Sequence, residues 1–267
     1  MDAFDQWCAT QPWLEDHVRF VVLHQQHGDA WWTWPTSLAQ HHSGALQQWA
    51  AEHAEQLLEE RLLQWHLDRQ WQAIHALAKD LGIQLFGDVP FYVSSDSADV
   101  WSHRHLFTVE ADGRLTTQSG VPPDYFSETG QLWGSPVYRW GRHRLSRFRW
   151  WRQRIGRQLQ LVDLLRLDHF RALAGYWAVP GGDSTAQNGS WEPSPGRSLL
   201  TKLRQDCGGN LPLIAEDLGV ITPDVEALRD DFALPGMKVL QFAFCLLYTS
   251  DAADEGLGVD LGGRRII

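Results

Sequence analysis

The sequence is poor in the features that would direct it to an oxidising compartment, a membrane or a nucleic acid. Three cysteines, Cys8, Cys207 and Cys245, are too few and too scattered for a disulfide framework, and none forms CxxC. A reducing, cytoplasmic setting is the expectation. No apolar run approaches the roughly 18 residues that a membrane span needs, and the opening MDAFDQWCAT carries acids where a secretory leader would carry bases. Basic charge is also short. The 23 Lys and Arg face 33 Asp and Glu, for a formal net charge of -10, so no cationic surplus is available for phosphates and neither a nucleic acid nor a membrane is an expected partner. The 12 histidines form no HExxH or similar paired spacing, so no zinc site is expected. Asp88, Asp96 and Asp99 are read as part of a solvated loop in preference to a hard-metal cluster.

What the chain does have is length, hydrophobicity and tryptophan. Its 267 residues, 43% of them hydrophobic, exclude a disordered or collagen-like chain and can bury a real core in one large domain or two small ones. The 15 tryptophans are the compositional outlier. Clusters such as Trp31, Trp32 and Trp34 imply either an aromatic core, favoured for most of them, or a platform for flat ligands. A sugar ring offers an apolar C–H face to such a platform, which makes carbohydrate the first ligand class to consider.

Periodicity predicts helices over residues 12–30 and 44–82. In the second, Leu67, Trp71, Ile74, Ala78 and Leu81 recur at helical spacing with Gly82 where a C-terminal cap belongs, so a buried helix face is expected. Strands are predicted at IQLFGDVPFYV (83–93), LVDLLRLDHF (161–170), LPLIAEDLG (211–219) and MKVLQFAF (237–244). Along the second strand Leu164, Arg166 and Asp168 share one face and Leu165 and Leu167 the other. A helix is read over 146–160, and Thr222, Pro223 and Asp224 open another in the order cap, N1 proline, first-turn acid. Residues 94–145, rich in Gly, Pro, Ser and aromatics, are too long for an ordinary connection and too aromatic for disorder. They read as an ordered excursion of the kind that carries function. Strand alternating with helix implies right-handed βα units and a parallel sheet. Asp88, Asp168 and Glu216 fall near the C-terminal ends of three strands, the rim where a (β/α)8 barrel places its chemistry. A doubly wound sheet fits the same pattern, and periodicity does not decide between them.

The strings GDVPFYVSSDSADVW (87–101), GVPPDYFSETGQLWGSPVYRW (120–140), LLRLDHFRALAGYWAVP (164–180) and AEDLG (215–219) resemble the amylomaltases, or 4-α-glucanotransferases, over a stretch from about Trp13 to Phe244. The resemblance implies an α/β fold over residues 1–244, a partial (β/α)8 barrel of about four of the eight strands with a lid-like loop insertion at 94–145. It also implies an enzyme that needs no cofactor and moves 1,4-α-glucan segments between maltooligosaccharides and other α-glucans through a covalent glycosyl-enzyme. By the same resemblance Asp168 is the nucleophile and Glu216 the acid/base. The residue types suit those roles: a retaining transfer needs one ionised carboxylate and one protonated carboxyl roughly 5 Å apart. Arg166 beside Asp168 favours the carboxylate, and the apolar run before Glu216 favours the protonated acid.

Other site residues carry softer readings. Asp88 either bonds sugar hydroxyls or Arg166, or is a structural acid at a strand end. Asp96 and Ser97 are expected to cap the helix that follows. In the family's arrangement His169 reaches sugar hydroxyls, while Asp124, Tyr125, Phe126, Gln131 and Trp133 match the loop that covers the active site. These five offer the aromatic faces and hydroxyl partners of a glucan cleft, against the plainer reading of a self-packed Ω-type loop. Two further readings of function stand beside the transferase: an α-glucan hydrolase, in which water attacks the intermediate, and an inactive glucan-binding fragment.

Departures from the family pattern are mild at Ser119 and Ser135, where Ala and Asn are usual, and large at the ends. The chain begins after the family's first two barrel strands. Beyond Phe244, CLLYTSDAADEGLGVDLGGRRII replaces the continuation toward a THDN motif, whose aspartate the family uses in the transition state. That segment resembles the in-frame translation of a transposase-type sequencing-library adapter. Residues 245–267 are therefore expected to be a non-native tail, and the chain an internal fragment.

Overall fold

Helices fill the N-terminal part of the chain: α1 (Ala3–Thr10), α2 (Leu14–His27), α3 (Thr36–Ala39), α4 (Ser43–Glu52) and α5 (Ala54–Asp80). The computed structural model describes residues 3–28, 30–124, 127–219 and 221–239. The stretch read as one helix from 44 to 82 is broken at His53, whose ring Nδ1 lies 2.7 Å from the Trp49 carbonyl oxygen at the junction of α4 and α5. At the far end of α5 the glycine cap forms as expected. Gly82 adopts φ +69°, and the Ile83 N–H donates to the Ala78 carbonyl at 2.8 Å. The predicted buried face of α5 does not hold: Ala78 is buried and Trp71 half-buried, but Leu67, Ile74 and Leu81 are 57%, 53% and 65% exposed. Periodicity identified a face; among the described residues nothing packs over most of it.

After α5 come β1 (Phe86–Val89), α6 (Ala98–Ser102), β2 (Thr117–Val121), β3 (Gln131–Pro136), α7 (Trp140–Leu145), α8 (Arg149–Leu161) and β4 (Leu164–Leu167). The remaining elements are β5 (Gly175–Pro180), β6 (Ser190–Pro193), α9 (Gly196–Asp206), β7 (Leu213–Ala215) and α10 (Pro223–Asp231). Ser97 caps α6 as expected, accepting from the Val100 N–H at 3.2 Å. Asp96 does something else: it accepts from the Trp31 N–H and lies against His24, tying the excursion to the N-terminal helices. Thr222 and Pro223 open α10 in the expected order, although the Thr222 hydroxyl accepts from Arg171 and does not cap the helix.

The strands form two sheets. β1, β4 and β7 are parallel, in the spatial order β1-β4-β7. Each strand is added on the same side as the last, and α8 and α9, which connect them, pack against each other. A doubly wound sheet would reverse direction, and this one does not among the described residues. The predicted strand over 237–244 is absent from Met237 to Val239, which are irregular; the rest of it lies outside the described residues, as do 245–267. The second sheet is antiparallel, in the order β3-β2-β5-β6. It unites part of the 94–145 excursion with β5 and β6, so the predicted insertion boundary cuts through one sheet.

Alternation along β4 sorts its side chains as the sequence indicates. Leu165 and Leu167 are buried together with Leu213 and Ala215 of β7, whereas Leu164, Arg166 and Ile214 occupy the other, more open face. α8 packs against β1 and β4 and contributes Trp151 and Ile155 to the core. Trp31 and Trp34 are core residues, and Trp32 packs at the core's edge.

Candidate active site

The parallel register brings the predicted acids together. Asp88 on β1 sits directly beside Arg166 on β4, which sits beside Ile214 on β7. The Arg166 guanidinium grips the Asp88 carboxylate with both arms, Nε to Oδ1 at 2.8 Å and Nη2 to Oδ2 at 2.9 Å, and Nη2 also lies 3.0 Å from Asp168 Oδ1. Of the two readings of Asp88, its position supports the Arg166 partner: it orients the cation that Asp168 shares.

Just past the strand ends the backbone continues the ladder. The Asp168 N–H donates to the Val89 carbonyl at 3.0 Å, and the Glu216 N–H to the Leu167 carbonyl at 3.1 Å. The two acids thus emerge at neighbouring strand termini. Between them lies His169, a non-glycine residue at φ +54° that turns the chain sharply out of β4. This turn aims the His169 N–H at Glu216 Oε2, 2.9 Å away, and the same N–H favours the ionised form of Asp168. Glu216 takes a second backbone bond, from the Leu218 N–H at 3.3 Å.

Burial raises the pKa of both acids. At Asp168 desolvation outweighs Arg166, which pulls the other way, and Asp88 adds to the rise. Arg166 therefore acts in the expected direction without setting the sign. At Glu216 desolvation again dominates, opposed by the His169 N–H, while the Asp168 charge raises it further. Asp168 has a direct cation partner, and Glu216 has none within ion-pair distance among the described residues.

His169 is half-buried, and desolvation of its ring depresses its pKa to about 4, with Arg171 contributing. Its ring is therefore neutral near pH 7. It stands edge-on to Trp133 at 4.7 Å, with Tyr92 at 6.0 Å. Trp133 and Gln131, on β3, are linked at 3.2 Å through the indole N–H and the amide oxygen. Trp133 remains 40% exposed, an aromatic side chain against His169. Asp124 closes a local turn by accepting from the Ser127 N–H at 2.9 Å. Tyr125 and Phe126 lie outside the described residues.

Sequence reasoning missed three contributors. The His169 N–H carries no side-chain signature. Tyr92 lay unremarked in the FYV segment. Asp217, next to Glu216 in AEDLG, is buried and accepts from Arg229 Nη1 at 2.6 Å and from the Met237 N–H at 2.7 Å, fixing the acid's loop from behind. The signal available for Asp217 was an acid inside an otherwise apolar strand end.

The glycoside hydrolase 77 family profile, described as 4-alpha-glucanotransferase, matches residues 1–253. The chain is 46% identical over 244 residues to a 4-alpha-glucanotransferase of Synechocystis sp., covering 90% of this chain and 48% of that protein. It is 48% identical over 233 residues to a 4-alpha-glucanotransferase of Thermus thermophilus, covering 87% and 46%. The chain thus spans about half the length of the curated relatives it matches. Among solved structures, the amylomaltase of Streptococcus agalactiae in complex with acarbose superposes with a TM-score of 0.87 at 34% identity, over 94% of this chain and 51% of that one. These matches establish that the chain belongs to the 4-alpha-glucanotransferase family.

Proposed function

We propose that the full-length protein carrying this segment transfers 1,4-α-glucan segments between maltooligosaccharides by a retaining double displacement. The observation that carries the reading is the pair of carboxyls at neighbouring strand ends, one ion-paired to Arg166 and the other accepting the His169 N–H, with no cation within ion-pair distance of it among the described residues. In the first half-reaction Glu216 gives its proton to the glycosidic oxygen as the C1–O bond breaks, and an Asp168 oxygen bonds to C1. In the second, Glu216 takes the proton from an incoming sugar hydroxyl, whose oxygen displaces Asp168 from C1. Asp88 and Arg166 hold the nucleophile. His169 supplies a neutral hydrogen-bonding ring, and the segments bearing Asp124, Gln131 and Trp133 shield the cleft from water, favouring a sugar acceptor.

The consecutive order β1-β4-β7 supports a parent fold in which these strands are part of a (β/α)8 barrel, with the face bearing Leu164, Arg166 and Ile214 turned to its interior. On this reading residues 1–244 are a partial barrel domain, 245–267 are foreign, and the chain by itself is inactive. The free thiols Cys8 and Cys207 suit a reducing cytoplasm.

The test is product analysis with maltotriose. Full-length protein is expected to yield glucose and longer maltodextrins, and Asp168→Asn to slow this by several orders of magnitude with the fold intact. Reducing ends that rise throughout the reaction would give the hydrolase reading instead.

A further inference from the structure

A polar cavity of about 480 Å³ lies where the chain after α3, the end of α6 with the turn that follows it, and residues 109–111 meet Arg139, and it shares no residue with the carboxylate cleft. Its volume falls in the range of small-ligand sites. Its charges do not balance. Arg104 is half-buried, with its guanidinium 6.0 Å from the centre of the Trp31 ring, and it makes no hydrogen bond or ion pair among the described residues. Arg139 lies 3.5 Å from Glu110, the single acid in the wall among the described residues. That pair does not meet hydrogen-bond geometry, and its side chains are 40% and 44% exposed, so the donors of the Arg139 fork remain unspent. His41 is already held by Asp16 at 3.0 Å, and the Gln40 amide has no partner among the described residues. Two guanidiniums therefore face one loosely held carboxylate.

The surroundings add to this excess. Between Glu128 and Asp163 the chain has eight arginines and no acid, in a protein whose formal net charge is -10. Two of the eight, Arg142 and Arg139, act on His105 in the cavity wall: after desolvation and His103, they hold its pKa below the ordinary value. A cation would meet like charge here, and an uncharged ligand would leave Arg104 unanswered. A monocarboxylate answers one guanidinium. A phosphate group carries close to two negative charges at neutral pH and has acceptor oxygens for both forks.

We infer that this cavity is a phosphate site, in which Arg104 and Arg139 hold a phosphate dianion, the Gln40 amide supplies a further donor, and Glu110 gives up Arg139 as the anion enters. Free phosphate and a phosphate ester share this chemistry, and the cavity has room for the organic part of a small ester. The inference stands apart from the proposed function, because the two sites have no residue in common.

The experiment measures binding of radiolabelled inorganic phosphate to the full-length protein by equilibrium dialysis in a buffer free of other oxyanions. One saturable site per chain is expected. Arg104→Gln and Arg139→Gln should each weaken it about tenfold, and Glu110→Gln, which removes the competing carboxylate, should tighten it about threefold. Arg139 is exposed, so its variant reports on the site even if Arg104→Gln, beside Trp31, fails to fold. Arg144→Gln, in the same run of arginines but exposed and outside the cavity wall, is expected to leave binding unchanged. Competition by glucose 6-phosphate would identify an ester as the source of the phosphate, and failure to compete would identify the free ion; the proposal holds in both cases. Absence of saturable binding overturns it, as does an equal loss in Arg144→Gln, the mark of a diffuse cationic surface, or a Glu110→Gln variant that binds no more tightly than the wild type.

Discussion

Glu216 is held above its ordinary pKa by burial, so ionising it costs the folded state more than the unfolded chain. The cost is absent below the unfolded value, 4.5, and is felt as pH rises through the folded one. Glu216→Gln is therefore expected to raise the thermal midpoint of the full-length protein at pH 7 by a few degrees, to leave it nearly unchanged at pH 4, and to abolish transfer. His143 has the opposite sign. It is completely buried, neither ring nitrogen meets hydrogen-bond geometry, and desolvation holds its pKa at about 4, the Leu106 backbone offsetting this only in part. Below 6.5 the unfolded chain takes up a proton that the folded one refuses, a loss on the order of 3 kcal/mol by pH 4. His143→Phe should flatten the acid side of the stability profile, as read by urea unfolding at a series of pH values. At this scale the sequence revealed which side chains meet, because alternation along β4 and the strand-end positions of Asp88, Asp168 and Glu216 place them. It did not reveal the sign of the Asp168 shift, because the burial that sets it comes from segments remote in the chain.

Among elements, the loop that carries Glu216 depends on one ion pair behind it. Asp217 joins α10, through Arg229, to the backbone at Met237, and its side chain is only 7% exposed. Asp217→Ala strands Arg229 on one side and leaves the Met237 N–H unpaired. A loss of about 3 kcal/mol is expected in chemical denaturation. Gly236 belongs to the same joint: a Cβ there would sit 2.3 Å from Asp217 Oδ2, so Gly236→Ala should displace the carboxylate and lower transfer along with stability. Element ends with strong local chemistry were legible in the sequence, as at Gly82, Ser97 and the Thr222-Pro223 pair. The break at His53 and the β5–β6 pairing were not. A histidine is no recognised breaker, and GYWAVP and SWEP are strands only because β2 and each other supply the hydrogen bonds.

At the scale of the whole molecule, α5 and β1 present Leu63, Leu67, Ile74, Leu77, Leu81 and Phe86 as exposed apolar side chains. A surface of this kind calls for a covering partner or promotes association. Residues 1–267 expressed alone are expected to aggregate, and replacing Leu63, Leu77 and Leu81 with Gln to reduce the aggregation measured by light scattering. The same substitutions should destabilise the full-length protein. A soluble monomer of 1–267 with a sharp thermal transition and measurable transfer would refute the partial-barrel reading. Helical periodicity made this face visible in the sequence; nothing in periodicity says what lies against it. The connection into β4 bears on how the chain tolerates changes in length. Asp163 is clamped before the strand, its carboxylate accepting from the Leu85 N–H at 2.8 Å and lying 3.0 Å from His75, while the Asp168 N–H is clamped after it on Val89. A single residue inserted between these clamps would turn Arg166 and Asp168 to the opposite face of the sheet. Insertions and deletions that preserve activity should therefore be absent from 163–168 and accumulate in the turn between β5 and β6. In a library of random one-residue insertions scored for transfer, β4 would stand out as a gap.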